Sequence, residues 1–248
     1  MRLLAIIEYD GTDFIGFQVQ AHGRTVQGEL ERVLEQITGV KTRVTGAGRT
    51  DTGVHASGQG VHLDTAWAKP LAILQRALNA ELPNDIAVRS LAEVPADFSA
   101  RYSAVSRAYR YTILNQAQRA PLRERYALRV SEPLDSEAMH AAAQVLLGTQ
   151  DFGAFGTPPR GGSNTVRTVL RANVTRVGDL VQFEVEADAF LYRMVRRITS
   201  ALIRVGTGAW SAAEFRAVLA QHQRAPIAAL PHGLCLIAVK YGEKDENI

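Results

Sequence analysis

The sequence predicts an α+β (mixed α/β) chain, a largely antiparallel sheet with flanking helices, built as two similar halves around a central cleft. Three observations predict it. Apolar residues at a period of two alternate along the chain with apolar residues at helical spacing. That order, strand and helix by turns, runs through residues 1–104 and starts afresh in residues 105–248. The later strands also alternate apolar with polar side chains, as antiparallel strands with one solvated face do. No sequence repeat relates the halves.

Leu3 to Tyr9 reads as a buried strand closed by the turn pair Asp10-Gly11. The loop beyond it carries Phe14 and Phe17, which must be packed or must offer their faces to a ligand. Thr25 can cap a helix with Val26, Leu30, Val33, Leu34 and Ile37 on one stripe, and Gly39 ends it. A short strand over Arg43 to Thr45 enters the loop Gly46-Ala47-Gly48-Arg49-Thr50-Asp51-Thr52-Gly53-Val54-His55, and Val54 to Leu63 follows as a strand. A helix after Pro70 and a strand from Ile86 to Val94 complete the first half.

Val105 to Leu114 opens the second half, with Arg107, Tyr109, Tyr111 and Ile113 on one face and Arg110 on the other. Tyrosines among arginines suit base stacking and suit a half-buried sheet equally well. Asp135 or Ser136 starts a helix that stops at Gly148. The stretch from Thr149 to Thr165 then reads as a long structureless loop, the signature of a lid or binding segment. A meander over Val166–Thr175 and Leu180–Ala187 puts Gln182, Glu184 and Glu186 on a solvated face. Phe190 to Val205 has helical spacing with Arg193, Arg196 and Arg197 in its first turns. Cations there oppose the helix dipole, which a bound anion or acidic partner would explain, as would simple exposure. Ser211 and Glu214 form a capping box, Leu234 to Tyr241 is a last strand, and the polar tail from Gly242 is expected to be disordered.

Composition narrows the function. The chain has 248 residues and a formal net charge of +3. Between Arg101 and Arg129 there are seven arginines and a single acid, Glu124, which suits phosphate and base contacts. One cysteine, Cys235, excludes an internal disulfide and a cysteine-rich zinc site, and points to a reduced, cytoplasmic setting. The apolar run Leu3 to Ile7 is too short for a signal peptide or a membrane span.

Among candidate sites the Gly46–His55 loop stands out. Gly46, Gly48 and Gly53 permit positive φ or close approach, and Arg49 can keep the Asp51 carboxylate ionised and oriented. A glycine-rich turn with a surface ion pair has the same residues. A dinucleotide fingerprint fails, because Asp51 stands at the third glycine and a strand follows. His55 and His62, seven apart in a strand, fall on opposite faces and cannot share a metal, and the remaining histidines read as structural.

Several separated motifs then stand in one order. They are Tyr9-Asp10-Gly11-Thr12-Asp13-Phe14-Ile15-Gly16-Phe17-Gln18-Val19-Gln20, the Gly46–His55 loop, Phe98-Ser99-Ala100-Arg101, Tyr109-Arg110-Tyr111, Phe190-Leu191-Tyr192-Arg193-Met194-Val195-Arg196 and Pro231-His232-Gly233-Leu234. Together they resemble the tRNA pseudouridine synthase A family. The resemblance implies the pseudouridine synthase fold of two ferredoxin- or RRM-like halves, and an isomerase that turns uridine into pseudouridine at positions 38, 39 and 40 of the tRNA anticodon stem-loop. It implies a homodimer that uses no cofactor and no metal. Asp51 is then the catalytic aspartate and Tyr109 stacks on the target base, while Arg49 intercalates or holds the vacated helix and Arg196 pairs with Asp51. Arg197 departs from the family, where an asparagine is expected, and Arg193 occupies a variable place. Two other readings of the residues are an RNA-binding module without catalysis and a small-molecule enzyme with Asp51 as general base.

Overall fold

The computed structural model describes residues 1–158, 162–220 and 225–242. Pro159, Arg160 and Gly161 of the expected lid, His222, and the tail beyond Gly242 lie outside the described residues. Two compact units make up the chain. One consists of Met1–Val105 and the segment that begins at Cys235, the other of Ser106–Leu234.

The first unit is built on β1 (Arg2–Tyr9), α1 (Val26–Thr38), β2 (Thr45–Gly46), β3 (His55–Asp64), α2 (Leu71–Glu81), β4 (Ile86–Val94) and the chain's last strand, β10 (Leu234–Tyr241). Its strand order is β4-β1-β3-β10, with β2 paired to β3. β1 runs antiparallel to both neighbours, Leu4 facing His62 on one side and Ala92 on the other. The continuous apolar run of β1 has a reason here, since Leu3 and Leu4 point to opposite faces and both are fully buried. Leu4 joins Ala47, Val94, Phe98 and Ala100, against which Tyr241 packs. The Tyr241 ring lies 5.0 Å from that of Phe98, and its hydroxyl donates to the Ala100 carbonyl at 3.2 Å. α1 forms as its ends dictate: the Thr25 hydroxyl accepts from the Gly28 amide at 3.1 Å, and Gly39 closes it in the left-handed region.

The second unit contains β5 (Ala104–Asn115), β6 (Leu128–Val130), α3 (Ser136–Gln144), β7 (Gly148–Asp151), β8 (Val166–Val177), β9 (Leu180–Ala187), α4 (Met194–Gly206) and α5 (Ala212–Ala220). Its order is β5-β9-β8-β7, antiparallel throughout, with β6 added in parallel to β5. In the β5–β9 register Tyr109, Tyr111 and Ile113 face Val185, Phe183 and Val181, all buried. Arg110 and Glu184 meet on the opposite face at 2.7 Å. Asp135 caps α3 by accepting from the Glu137 and Ala138 amides, and the Ser211–Glu214 box opens α5.

Three expectations need correction. The described start of the 149–165 stretch is not structureless, because it begins as the tail of β7 and then sends Phe152 and Phe155 wholly into the core, the latter 5.9 Å from the Phe215 ring. α4 starts at Met194 rather than Phe190. Tyr192 instead exchanges two backbone hydrogen bonds with Thr157, and Arg193 turns the chain at φ 63°, the sole non-glycine with positive φ among the described residues. Glu186 is not solvated either: it is buried and accepts a hydrogen bond from Ser106 at 2.7 Å. No helix among the described residues is long and apolar enough to cross a membrane.

Candidate active-site loop

Asp51 sits half-buried in the connection between β2 and β3. The residues on both sides of it are fastened to the Asp10–Arg24 segment. Upstream, the Thr50 carbonyl accepts from the Phe17 amide at 3.2 Å, and the Thr50 hydroxyl is 2.8 Å from that of Tyr9 in a buried contact. Downstream, the Gly53 amide donates to the Phe14 carbonyl at 3.4 Å, and the Val54 amide returns to the Asp51 carbonyl at 3.1 Å. The loop's entry is held as well, by the Ala47 amide on the Gly60 carbonyl and by the Gln59 side-chain amide on the Gly48 carbonyl, both at 2.8 Å. Gln59 is fully buried, so this amide serves the loop rather than solvent.

Close approach explains the glycines. Gly16 has φ 115°, and a Cβ there would stand 2.9 Å from the Thr50 carbonyl oxygen. A Cβ on Gly46 would meet the Phe17 ring at 2.6 Å. The two loop phenylalanines are therefore packed, Phe14 and Phe17 being 1% and 3% exposed, and they form the bed on which the aspartate loop lies.

Arg49 behaves differently from the expectation. It is exposed, and no hydrogen bond or ion pair ties it to the loop among the described residues. The backbone contacts of Thr50 and Gly53 hold the loop on either side of Asp51.

In the second unit Tyr109 is buried on β5, with its ring edge-on to Phe190 at 5.0 Å. Arg196 lies on α4, where its Nε donates to the Ala229 carbonyl at 2.7 Å while its own carbonyl accepts from the Ala229 amide at 3.0 Å. The next residue of that segment, Leu230, accepts the Tyr111 hydroxyl at 2.7 Å. Burial holds the Tyr111 phenol well above its ordinary range, with Arg196 pulling weakly the other way, so it remains a donor.

A family model for tRNA pseudouridine synthase matches residues 5–103 and 142–242. The chain belongs to the tRNA pseudouridine synthase family. It is 47% identical over 249 residues to tRNA pseudouridine synthase A of Roseiflexus castenholzii, covering 98% of this chain and 92% of that one. To the protein of the same name from Halalkalibacterium halodurans it is 48% identical over 219 residues, covering 88% and 83%. Among solved structures, an H/ACA RNP bound to a substrate RNA containing 2′-deoxyuridine covers 82% of this chain and 44% of that one at a TM-score of 0.35 and 15% identity, too slight a likeness to carry an argument.

Three histidines of this pseudouridine synthase serve its backbone. The Nδ1 atoms of His55, His62 and His140 accept from the backbone amides of Gly11, Ala100 and Val174. Among the described residues no cluster of three His, Cys, Asp or Glu side chains could hold a metal ion. Tyr9, Thr50 and Gln59 fix the synthase's aspartate loop, a role the sequence reading assigns to none of them. Their signal was local: polar side chains inside otherwise apolar strands or beside a glycine-rich turn need buried partners.

Proposed function

We propose that this member of the family isomerises uridine to pseudouridine at positions 38, 39 and 40 of the tRNA anticodon stem-loop, with Asp51 as nucleophile or base on a flipped-out uridine. The observation that supports the proposal is a loop, fixed by backbone hydrogen bonds on both sides, that carries the half-buried Asp51. The reaction breaks the C1′–N1 bond and forms C1′–C5, the proton on C5 goes to solvent, and N1 takes one up. No oxidant or reductant enters, so a single well-placed carboxylate can serve both bond cleavage and proton removal. The target base lies stacked in the stem-loop and has to leave its stack to be reached. Tyr109 stacks on it, Arg196 pairs with Asp51, and the exposed Arg49 intercalates or holds the helix that the base vacates. The protein acts in the cytoplasm as a homodimer, and its arginine-rich stretches grip tRNA through phosphate and shape.

Tritium release from tRNA labelled at uridine C5 tests this. Asp51→Asn is expected to abolish release while tRNA binding persists, and retained release refutes the catalytic assignment. Tyr109→Phe keeps the packing on Phe190 and is expected to lower turnover more than affinity; an equal loss of both assigns Tyr109 to docking alone.

A further inference from the structure

The Asp10–Arg24 segment on which the aspartate loop lies is itself locked by one side chain. Arg24 donates both terminal nitrogens to Asp85, Nη2 at 2.9 Å to Oδ1 and Nη1 at 2.5 Å to Oδ2, and its Nε to Glu29 at 3.0 Å. Its guanidinium lies 4.2 Å from the centroid of the Phe14 ring, which is 1% exposed. Its carbonyl accepts from the Ile15 amide at 3.0 Å. Asp85 adds a backbone tie of its own, accepting from the Asp10 amide at 3.0 Å.

A continuous path follows from these contacts. Arg24 fixes Phe14 through its ring face and fixes the chain next to it through Ile15. The Phe14 carbonyl holds the Gly53 amide, and the Phe17 amide holds the Thr50 carbonyl. Asp51 lies between those two anchors. We propose that Arg24, clamped by Asp85 and Glu29, is a positioning residue for the isomerisation, setting where Asp51 stands through Phe14 and the loop behind it. This rests on Asp51 being the catalytic aspartate. Only a guanidinium fills the position, because the site uses a planar fork on one carboxylate, a third donor on another and a flat face on an aromatic ring. A lysine keeps the charge and loses the fork and the flat face. The pairing is also partly shielded, with side-chain exposures of 33% for Arg24, 21% for Asp85 and 20% for Glu29, and it holds the arginine in its charged form above its ordinary range.

A purely structural role predicts something else. It lowers the folded fraction and leaves turnover per folded molecule alone, whereas mispositioning a reacting group lowers kcat with the substrate still bound. The test measures kcat and KM for tritium release, normalised to folded protein, in Arg24→Lys and Asp85→Asn at a temperature where both are folded. Arg32→Gln is the control, since Arg32 donates to the same Glu29 from the exposed side, at 2.9 and 3.0 Å, and touches no part of the loop. The expected result is a fall in kcat of about tenfold or more in both variants with KM within about twofold, and unchanged constants in the control. A kcat loss below tenfold, a loss confined to KM, or a loss that matches the folded fraction overturns the proposal. If Arg24→Lys does not fold, Asp85→Asn decides by the same limits. Asp51→Asn run alongside separates the two ideas. Inactive Asp51→Asn with active Arg24→Lys and Asp85→Asn removes the positioning role alone, and active Asp51→Asn removes the catalytic aspartate on which it rests.

Discussion

Two glycines with left-handed or wider backbone angles give a paired test of how the aspartate loop is placed. Gly39, at φ 71°, ends α1 with nothing within 4 Å of a built Cβ. Gly16, at φ 115°, has the Thr50 carbonyl oxygen at 2.9 Å and the Thr52 amide nitrogen at 3.5 Å. Gly39→Ala therefore meets only the cost of an L-residue in the left-handed region, about 1–2 kcal/mol, which for a chain of this size lowers the melting temperature by roughly 2–8 °C. Gly16→Ala carries a similar or larger backbone cost, about 1–3 kcal/mol, and has a second effect. Its methyl must push the Thr50 carbonyl back by about 0.5 Å to reach ordinary van der Waals contact, and Asp51 is the next residue. Since a displacement of about 1 Å can cost roughly 100-fold in rate, half of that predicts about a tenfold fall in kcat. Thermal melts and tritium-release kinetics on both variants, normalised to folded protein, measure the two effects separately. Comparable destabilisation with kcat within threefold of wild type in both variants would refute the claim that contact at Gly16 sets the carboxylate's position.

Other outcomes follow from contacts already described. Burial, with help from the Arg2 charge, holds the His62 imidazole below its ordinary 6.5, so the folded state prefers it neutral. The unfolded chain then binds more protons as pH falls through 6.5, and stability present above that value is lost below it. His62→Gln, which keeps an acceptor for the Ala100 amide, is expected to flatten the change in melting temperature between pH 7.5 and 5.5; an unaltered slope refutes the assignment. Phe155→Ala removes a fully buried ring packed on Phe215 and is expected to destabilise by about 3–5 kcal/mol, measured by denaturant melts, where a true lid residue would leave stability unchanged.

Periodicity made most elements legible because each depends on residues close in sequence. Thr25, Asp135 and Ser211 mark helix starts, and the alternation of Tyr109, Tyr111 and Ile113 gives β5 its buried face. What escaped depends on distant partners. The helical spacing of Leu191 and Met194 carries no trace of Thr157, whose two hydrogen bonds with Tyr192 delay α4 to Met194. Phe152 and Phe155 looked like lid residues because nothing local reveals Phe215 beside them. Glu186 alternates like an exposed residue, yet Ser106, 80 positions away, accounts for its burial. At the site, the sequence marked the Gly46–His55 loop, but assigned the orientation of Asp51 to Arg49, its neighbour but one. The contacts that hold its loop come from Phe14, Phe17 and Tyr9, which lie about 40 residues upstream.

β10 carries a consequence for biosynthesis. Its Cys235 and Leu236 pair in parallel with His55 and Ala56, the first two residues of β3, and its Tyr241 closes the cluster that includes Ala47 at the loop's entry. A ribosome that has made only the first hundred residues has supplied every side chain of that loop but not the strand that flanks it. The first unit is thus completed by the last of its strands to be synthesised, long after the intervening unit has had time to fold. A chain truncated before residue 234 would carry Asp51 in an unfinished frame, so a prematurely terminated product is expected to be inert rather than a partial, unregulated modifier of RNA.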